Sequence, residues 1–201
     1  GKLVFSTRST SAAFKAWEQA NPGLIAVDTT DIANYTGMVA RLTEDGYSLT
    51  GGWQAELTVL CTIDGVRRKV RCDGLRVTES DCTVLELKTA ESCNYRAFQW
   101  ACKDYGYHIA AAAYVAVCKV VFGLPTELHF LVQEKVAPFD WQIWRASEQF
   151  LLEGGKMLAV AVEIWKRTNG LRNPRAAVIV TPAEIDLPKN YDGDIQIYSE
   201  V

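Results

Sequence analysis

The stretches that decide the fold are VRCDGLRV at residues 70–77 and TVLELKTA at residues 83–90. Both have the composition of strands, in which successive side chains alternate between the two faces of a sheet. Glu86 and Lys88 are therefore expected to project from the same face. If the strand with Asp73 lies alongside, its carboxylate approaches that of Glu86. Two carboxylates so close favour a shared divalent cation, so these stretches predict a metal site with a lysine beside it.

The second of these strands is also expected to have an apolar face. Leu85 and Leu87 alternate with the charged pair and are predicted to point into apolar surroundings. Two charges on one face of a central strand are costly to bury unless a ligand or a metal compensates them. The alternative interpretation is a surface ion pair along a strand, worth only about 0.2–1 kcal/mol.

The chemistry that suits these residues is hydrolysis of a phosphodiester. Divalent ions held by carboxylates stabilise the charge on the attacking and leaving oxygens. Hard oxygen ligands suit Mg²⁺, with Mn²⁺ as a substitute. Asp73 and Glu86 are the predicted ligands, with the carbonyl of Leu87 as a third. Lys88 would orient or deprotonate the attacking water, and Glu56 in WQAEL would add a ligand or hold a metal-bound water.

Composition limits the ways in which the chain could bind a polyanion. The 201 residues are 49% hydrophobic, enough for one well-packed domain, and the formal net charge is -3. Because bulk attraction is excluded, contact with nucleic acid requires a local basic patch. Two basic segments are candidates: Arg67, Arg68, Lys69 and Arg71, and Lys166, Arg167, Arg172 and Arg175. The alternative is that these side chains are simply solvated.

Cysteine and histidine usage narrows the chemistry further. Six cysteines form no CxxC pair, and only two histidines occur. A zinc ribbon, an iron–sulfur clamp and a histidine-based triad are therefore not indicated. Most of the cysteines are expected to be small buried hydrophobes. Since no signal peptide or membrane-spanning run is recognisable and free thiols suit a reducing interior, the expected location is the cytoplasm.

The pattern of apolar residues and turns predicts an α/β (α+β) chain with one domain, 1–201. Its predicted parts are an N-terminal helical region at 1–50, a catalytic core at 53–145, and a C-terminal helix with an irregular tail at 146–201. The predicted helices are 11–19, 28–42, 94–122 (with a break allowed at Gly106) and 147–168. The predicted strands are 53–63, 66–77, 83–89, 128–132 and 141–145, the first three forming an antiparallel meander that turns at Asp64-Gly65.

The ordered motifs resemble those of the PD-(D/E)xK nuclease superfamily, and more narrowly the exonuclease VIII-like enzymes of phages and prophages, relatives of lambda exonuclease. The resemblance runs from about residue 15 to residue 188. It includes WQAE, Arg71-Cys72-Asp73, Glu86-Leu87-Lys88-Thr89, the segment from Tyr107-His108 to Tyr114, Gln133-Glu134-Lys135 and Leu187-Pro188. It implies a restriction-endonuclease-like core, with a mixed central sheet that contains the meander and is flanked by helices.

The resemblance also implies a function. It implies a Mg²⁺-dependent exonuclease that resects linear duplex DNA from a 5′ end and leaves a 3′ overhang for a single-strand annealing protein. A homo-oligomeric ring around the DNA, in the cytoplasm of a bacterial host of a phage or prophage, is part of this expectation. The residues expected to contact DNA are Arg67, Arg71, Thr89, His108, Ala110 and Tyr114. Two alternatives remain: an endonuclease of the same superfamily, and a nuclease fold that only binds DNA or a protein.

The sequence departs from the family pattern in two places. Ala110 stands where the helix motif has a glutamine, which predicts a weaker enzyme, an altered site or a chain that traps its substrate. The family also has an upstream helix with a metal-binding histidine; either the chain is a trimmed domain or His108 has another role. His108 either contacts DNA or packs beside the sheet. Tyr114, one turn beyond Ala110, either reaches phosphate or is a core aromatic.

Overall fold

The computed structural model describes residues 12–24 and 29–168. The predicted irregular tail from residue 169 lies outside the described residues. The helices are α1 (Ala12–Ala20), α2 (Thr29–Glu44), α3 (Tyr95–Asp104), α4 (Tyr107–Phe122) and α5 (Glu148–Arg167). The strands are β1 (Gln54–Ile63), β2 (Val66–Val77), β3 (Cys82–Ala90), β4 (Thr126–Glu134) and β5 (Trp141–Arg145).

The strands form one five-stranded sheet in the order β1-β2-β3-β4-β5. β1, β2 and β3 are the predicted antiparallel meander, β4 runs parallel to β3, and β5 returns antiparallel. The meander turns at Asp64 and Gly65, whose φ values of 51° and 76° suit a two-residue hairpin turn. β3 is the middle strand. The predicted mixed sheet with an antiparallel meander is therefore confirmed.

The long helix predicted over residues 94–122 is two helices, with the break at the glycine where the sequence allowed one. α3 and α4 are bent by 80° relative to each other, and Gly106 between them has φ 64°. A residue without a β-carbon takes this left-handed conformation at little cost. Among the described residues, no single helix is long and apolar enough to cross a membrane; α3 and α4 reach that length and apolar character only when taken together.

Helices cover both faces of the sheet. α3, α4 and α5 cover one face, where the fully buried residues include Cys72, Leu75, Val84, Cys118 and Leu128. α2 covers the other face, where Leu42 packs with Leu85 and Leu131. The expectation that most cysteines are buried is met by Cys72, Cys82, Cys102 and Cys118. Leu87 departs from expectation, since 41% of its surface is exposed and only Leu85 enters the apolar layer.

The helices α4 and α5 pack in direct backbone contact. A β-carbon at Gly154 of α5 would collide with the carbonyl group of His108 on α4, so only glycine fits at this crossing. The His108 ring also lies against α5, with Nε2 3.1 Å from the sulfur of Met157 and its plane edge-on to Phe150. The two helices are therefore held at a fixed position relative to each other.

Candidate active site

The candidate site lies where β2 separates from β3. Their pairing ends at Gly74 and Leu85, and beyond this point Asp73 Oδ2 accepts a hydrogen bond of 2.8 Å from the main-chain N–H of Leu87. The N–H and C=O of one residue in a strand point to the same side, so the carbonyl of Leu87 faces the same gap. Among the described residues, Asp73 Oδ1 accepts no hydrogen bond. The gap thus contains two oxygens able to bind a cation.

A local break in strand alternation gives Asp73 this position. Cys72 and Leu75 are both fully buried in the same core, although residues three apart on a regular strand face opposite sides. On β1, Glu56 lies across from Asp73 between two regular pairs and has φ 54°. Both strands are therefore distorted at the same level, and this distortion turns the Asp73 carboxylate toward β3.

Glu86 and Lys88 form a closely packed ion pair on the face covered by α4. Lys88 Nζ lies 2.7 Å from Glu86 Oε1, and the two side chains are 21% and 13% exposed. Glu86 Oε2 is buried and has no hydrogen-bond partner among the described residues. Burial raises the pKa of Glu86, an effect that Lys88 opposes and the charge of Asp73 reinforces. The site therefore holds an enclosed carboxylate oxygen that lacks a cation or a donor.

Two tyrosines of α4 border the carboxylates. The hydroxyl of Tyr114 donates to the carbonyl of Arg71 at 2.9 Å and lies near Glu86, where it opposes the rise that burial causes in the pKa of Glu86. Burial, with the nearby charges of Glu86 and Asp73, raises the pKa of Tyr114, so its hydroxyl remains a neutral donor. The ring of Tyr107 lies 5.0 Å from Lys88 Nζ, a cation–π distance.

Ala110 is exposed and lies on the same helical face as the two tyrosines. It follows Tyr107 by three residues and precedes Tyr114 by four, the spacings that bring side chains together on one face of a helix. At the position that carries glutamine in the family motif, the short side chain of Ala110 thus leaves open space between the two aromatic rings.

The remaining predicted site residues lie around this centre or away from it. Glu56 is paired with Arg71 at 3.0 Å, both largely exposed. Thr89 is exposed on the face opposite Lys88. Arg67 is near the tip of the β1–β2 hairpin, and the ring contacts of His108 are with α5 and with the carbonyl of Cys102. The structure therefore brings together Asp73, Glu86, Leu87, Lys88, Ala110 and Tyr114.

Sequence reasoning did not assign a role to Tyr107. Its contact with Lys88 depends on the bend at Gly106, which starts α4 beside β3. The available indication was its spacing, since an aromatic residue seven positions before Tyr114 lies two turns away on the same face of a helix.

The site offers only oxygen donors to a metal ion. Among the described residues, no group of three or more His, Cys, Asp or Glu side chains is placed to hold one. The free donors are Asp73 Oδ1, the buried Glu86 Oε2 and the carbonyl of Leu87. All three are hard oxygens, and Mg²⁺ keeps several waters while binding through one or two carboxylates. The residues therefore fit a hydrated Mg²⁺ ion.

The fold and the paired acidic strands define a PD-(D/E)xK nuclease domain. A model of the family described as "PDDEXK-like domain of unknown function (DUF3799)" matches residues 4–177. The chain belongs to this family, which confirms the superfamily that the sequence motifs indicated.

Two solved structures resemble the chain. The first is the crystal structure of a protein described as "putative exonuclease" from Eubacterium rectale, with a TM-score of 0.60 and 16% sequence identity. The match covers 79% of this chain and 63% of that protein, so the chain spans less than two thirds of its length. The second, the crystal structure of SSO0001, has a TM-score of 0.38 and 13% identity, and covers 85% of this chain and 95% of that one. No curated protein matches the chain. At this identity the first likeness shows a shared fold.

Proposed function

We propose that this protein is a Mg²⁺-dependent exodeoxyribonuclease that acts on the ends of linear duplex DNA. The observation that carries the proposal is the buried Glu86 Oε2, which has no hydrogen-bond partner in the part of the chain that the structure describes and lies on the strand that also presents Lys88. A structural ion pair would satisfy both oxygens of the carboxylate, because an unpaired buried acceptor destabilises the fold. A metal ion shared with Asp73 would satisfy this oxygen.

Asp73, Glu86 and the carbonyl of Leu87 would hold the ion. When bound, it would polarise the phosphodiester and stabilise the charge that develops on its oxygens. Lys88 is placed between Glu86 and the ring of Tyr107, where its ammonium can orient the attacking water or take part in moving its proton. Its charge also offsets that of the phosphate.

Tyr114 would contribute on the α4 side of the site. Because its hydroxyl keeps its proton, Tyr114 can exchange its present acceptor, the carbonyl of Arg71, for a phosphate oxygen. Arg71 has its guanidinium in an exposed pair with Glu56 and can exchange that partner for phosphate at small cost, since exposed ion pairs are worth about 0–1 kcal/mol.

The finer parts of the proposal are 5′-to-3′ polarity, a 3′ overhang passed to a single-strand annealing protein, a homo-oligomeric ring, and action in the cytoplasm of a phage or prophage host. The motif resemblance supports them. The description of the E. rectale neighbour as an exonuclease supports the general activity, and the six free cysteines suit a reducing interior.

The test uses linear duplex DNA labelled separately at its 5′ and 3′ ends, with closed circular plasmid alongside, in Mg²⁺ and in chelator. Loss of the 5′ label from linear DNA alone, only with Mg²⁺, is the expected result. Glu86→Gln should abolish it. Glu79→Gln, which removes the same charge from an exposed turn residue, is the matched control and should cleave normally. Cleavage by Glu86→Gln at the wild-type rate would overturn the assignment of the site.

One observation favours a second candidate, a nuclease fold that binds DNA without cutting it. Exposed Ala110 leaves no polar side chain between the two tyrosines on the face of α4 that Tyr107 and Tyr114 share. Binding of duplex DNA without cleavage in Mg²⁺ or Mn²⁺ would support this candidate. Nicking of the closed circle would instead indicate an endonuclease.

A further inference from the structure

A groove of about 490 Å³ lies between the end of the β1–β2 hairpin and the last turns of α5. Its volume is within the range of ligand-binding clefts. Its lining combines cationic, apolar and aromatic groups: Leu60, Gly65, Arg67, Arg68, Lys69 and Trp165. Trp165 directly precedes the basic pair Lys166 and Arg167. The structure therefore brings Trp165 beside the first basic segment, although the two are about a hundred residues apart in the sequence.

The cations of this groove lack anionic partners. Arg67, Arg68 and Lys69 have no carboxylate within 4.0 Å in the part of the chain that the structure describes. Arg68 Nε is buried and has no acceptor. Arg71, two residues further along β2, is by contrast paired with Glu56. All three unpaired cations line the cleft, Arg67 and Lys69 from one face of β2 and Arg68 from the other, and their positive potential favours an anionic ligand.

The apolar part of the lining indicates which anion fits. Trp165 is 51% exposed and Leu60 is 59% exposed, so both present apolar surface to the ligand. Cations that follow a backbone, together with an aromatic ring for a base to stack on, are the combination that binds single-stranded nucleic acid. A duplex offers mainly phosphates to such a surface and keeps its bases stacked inside.

The groove is also at a suitable distance from the carboxylates. Lys69 precedes Asp73 by four residues on β2, about 13 Å at the rise of a strand.

We infer that this groove binds a single-stranded segment of nucleic acid about 13 Å from Asp73 of the candidate active site. Trp165 stacks on a base, and Arg67, Arg68 and Lys69 contact phosphates. The inference rests on the proposed function for the identity of the strand, but it adds a second binding site outside the cleavage centre.

The test measures binding of a fluorescent oligothymidylate of about 12 nucleotides, a length comparable to single-strand sites of other proteins. The full chain is used in chelator, so that no cleavage occurs. The variants are Trp165→Ala and the double variant Arg67→Ala with Lys69→Ala. The matched control is Trp100→Ala with Lys103→Ala, since Trp100 is 47% exposed and Lys103 lies 4.7 Å from its ring on a different helix. Thermal melting checks that every variant is folded.

Each groove variant should weaken binding at least about fivefold, since a stacked base is worth about 1–3 kcal/mol. The double variant should also lower the slope of log affinity against log salt by about 1.4, for two lost phosphate contacts on a single strand. The control should bind as the wild type does. Wild-type affinity in both groove variants would overturn the inference. A loss of affinity for blunt duplex DNA without a loss for the oligothymidylate would also overturn it. So would a gain in affinity when residues 169–201 are removed, because that result would identify the chain's own tail as the occupant of the groove.

The outcomes also separate this inference from the proposed function. If the wild-type chain never cleaves DNA but binds the oligonucleotide through Trp165, the proposed function fails and the groove stands. If the chain cleaves DNA and both groove variants bind normally, the proposed function stands and the groove inference fails.

Discussion

The carboxylate of Asp73 takes the place of a strand partner for Leu87. Its Oδ2 accepts the Leu87 N–H at 2.8 Å, at the first position where β2 no longer pairs with β3. One oxygen of the Asp73 side chain therefore satisfies the hydrogen-bonding requirement of the Leu87 N–H on the central strand. The other oxygen remains free. The structural role and the proposed metal-binding role of Asp73 reside in different atoms.

Substitution of Asp73 should separate these two roles. In Asp73→Asn the amide oxygen can still accept the Leu87 N–H, so stability should change by less than about 0.5 kcal/mol, while cleavage falls at least about 100-fold. Asp73→Ala should lose cleavage and also about 1 kcal/mol of unfolding free energy, because the N–H loses its partner. Urea unfolding and a cleavage assay measure the two effects. Full Mg²⁺-dependent cleavage by the Asn variant would contradict the metal-binding role.

Lys88 should not be replaceable by arginine. The ammonium fits between Glu86 Oε1 at 2.7 Å and the Tyr107 ring, and a planar guanidinium does not reproduce a compact point charge. Lys88→Arg should lower kcat at least about tenfold, within the range of positioned proton-transfer groups. Lys135→Arg, at an exposed position, is the control and should cleave normally. A Lys88→Arg enzyme with the wild-type kcat would show that only positive charge matters there.

The ring of Tyr107, and not its hydroxyl, should position Lys88. Tyr107→Phe keeps the aromatic face 5.0 Å from Nζ and should cleave within about threefold of the wild type. Tyr107→Leu should lower kcat by about fivefold, since a cation–π contact is worth about 0.5–2 kcal/mol. KM for DNA should change little in both. Equal kcat values for Phe and Leu would show that the ring does not act on Lys88.

Glutamine at position 110 should increase activity. Ala110 is exposed between Tyr107 and Tyr114, so a longer side chain has room to extend over the site. Ala110→Gln should cost less than about 0.5 kcal/mol of helix propensity and should raise kcat. The control is Val120→Gln, at an exposed position further along α4. An unchanged or lower kcat for Ala110→Gln would show that this site does not use the glutamine of the family motif.

Stability should depend on pH through Glu86. Burial raises the pKa of Glu86 above its ordinary value of 4.5, so the folded chain binds this proton more tightly than the unfolded chain. The ionised carboxylate therefore destabilises the fold at pH above its folded pKa, and the penalty disappears as the pH falls below the unfolded value. In chelator, Glu86→Gln should be more stable than the wild type at about pH 8 and equally stable at about pH 4. Denaturant unfolding at the two pH values measures this. A variant less stable than the wild type at the higher pH would contradict it.

The sequence predicted the parts of the fold that follow from short-range periodicity. The alternation of β3 placed Glu86 and Lys88 on one face, and the Asp64-Gly65 turn fixed the antiparallel return of β2. The break at Asp73 was not predictable, because it needs a simultaneous distortion at Glu56 on the neighbouring strand. A period of two carries no information about such a break.

Long-range packing accounts for the other differences. The exposure of Leu87 follows from how far α2 and its neighbours extend over β3, which the composition of β3 does not encode. The groove at Trp165 forms because α5 ends beside the hairpin. Trp165 on its own was more typical of a core aromatic, and the basic residues on their own were equally typical of solvated charge.

The backbone contact between Gly154 and His108 fixes a distance within the molecule. Trp165 stands eleven residues beyond Gly154 on α5, about 16 Å along the helix axis, and α4 carries Tyr107 and Tyr114 to the carboxylates from the same crossing. Because the crossing cannot slide without a collision of main-chain atoms, the span from Trp165 to the candidate active site is constant. A strand held at both places would be measured before it is cut.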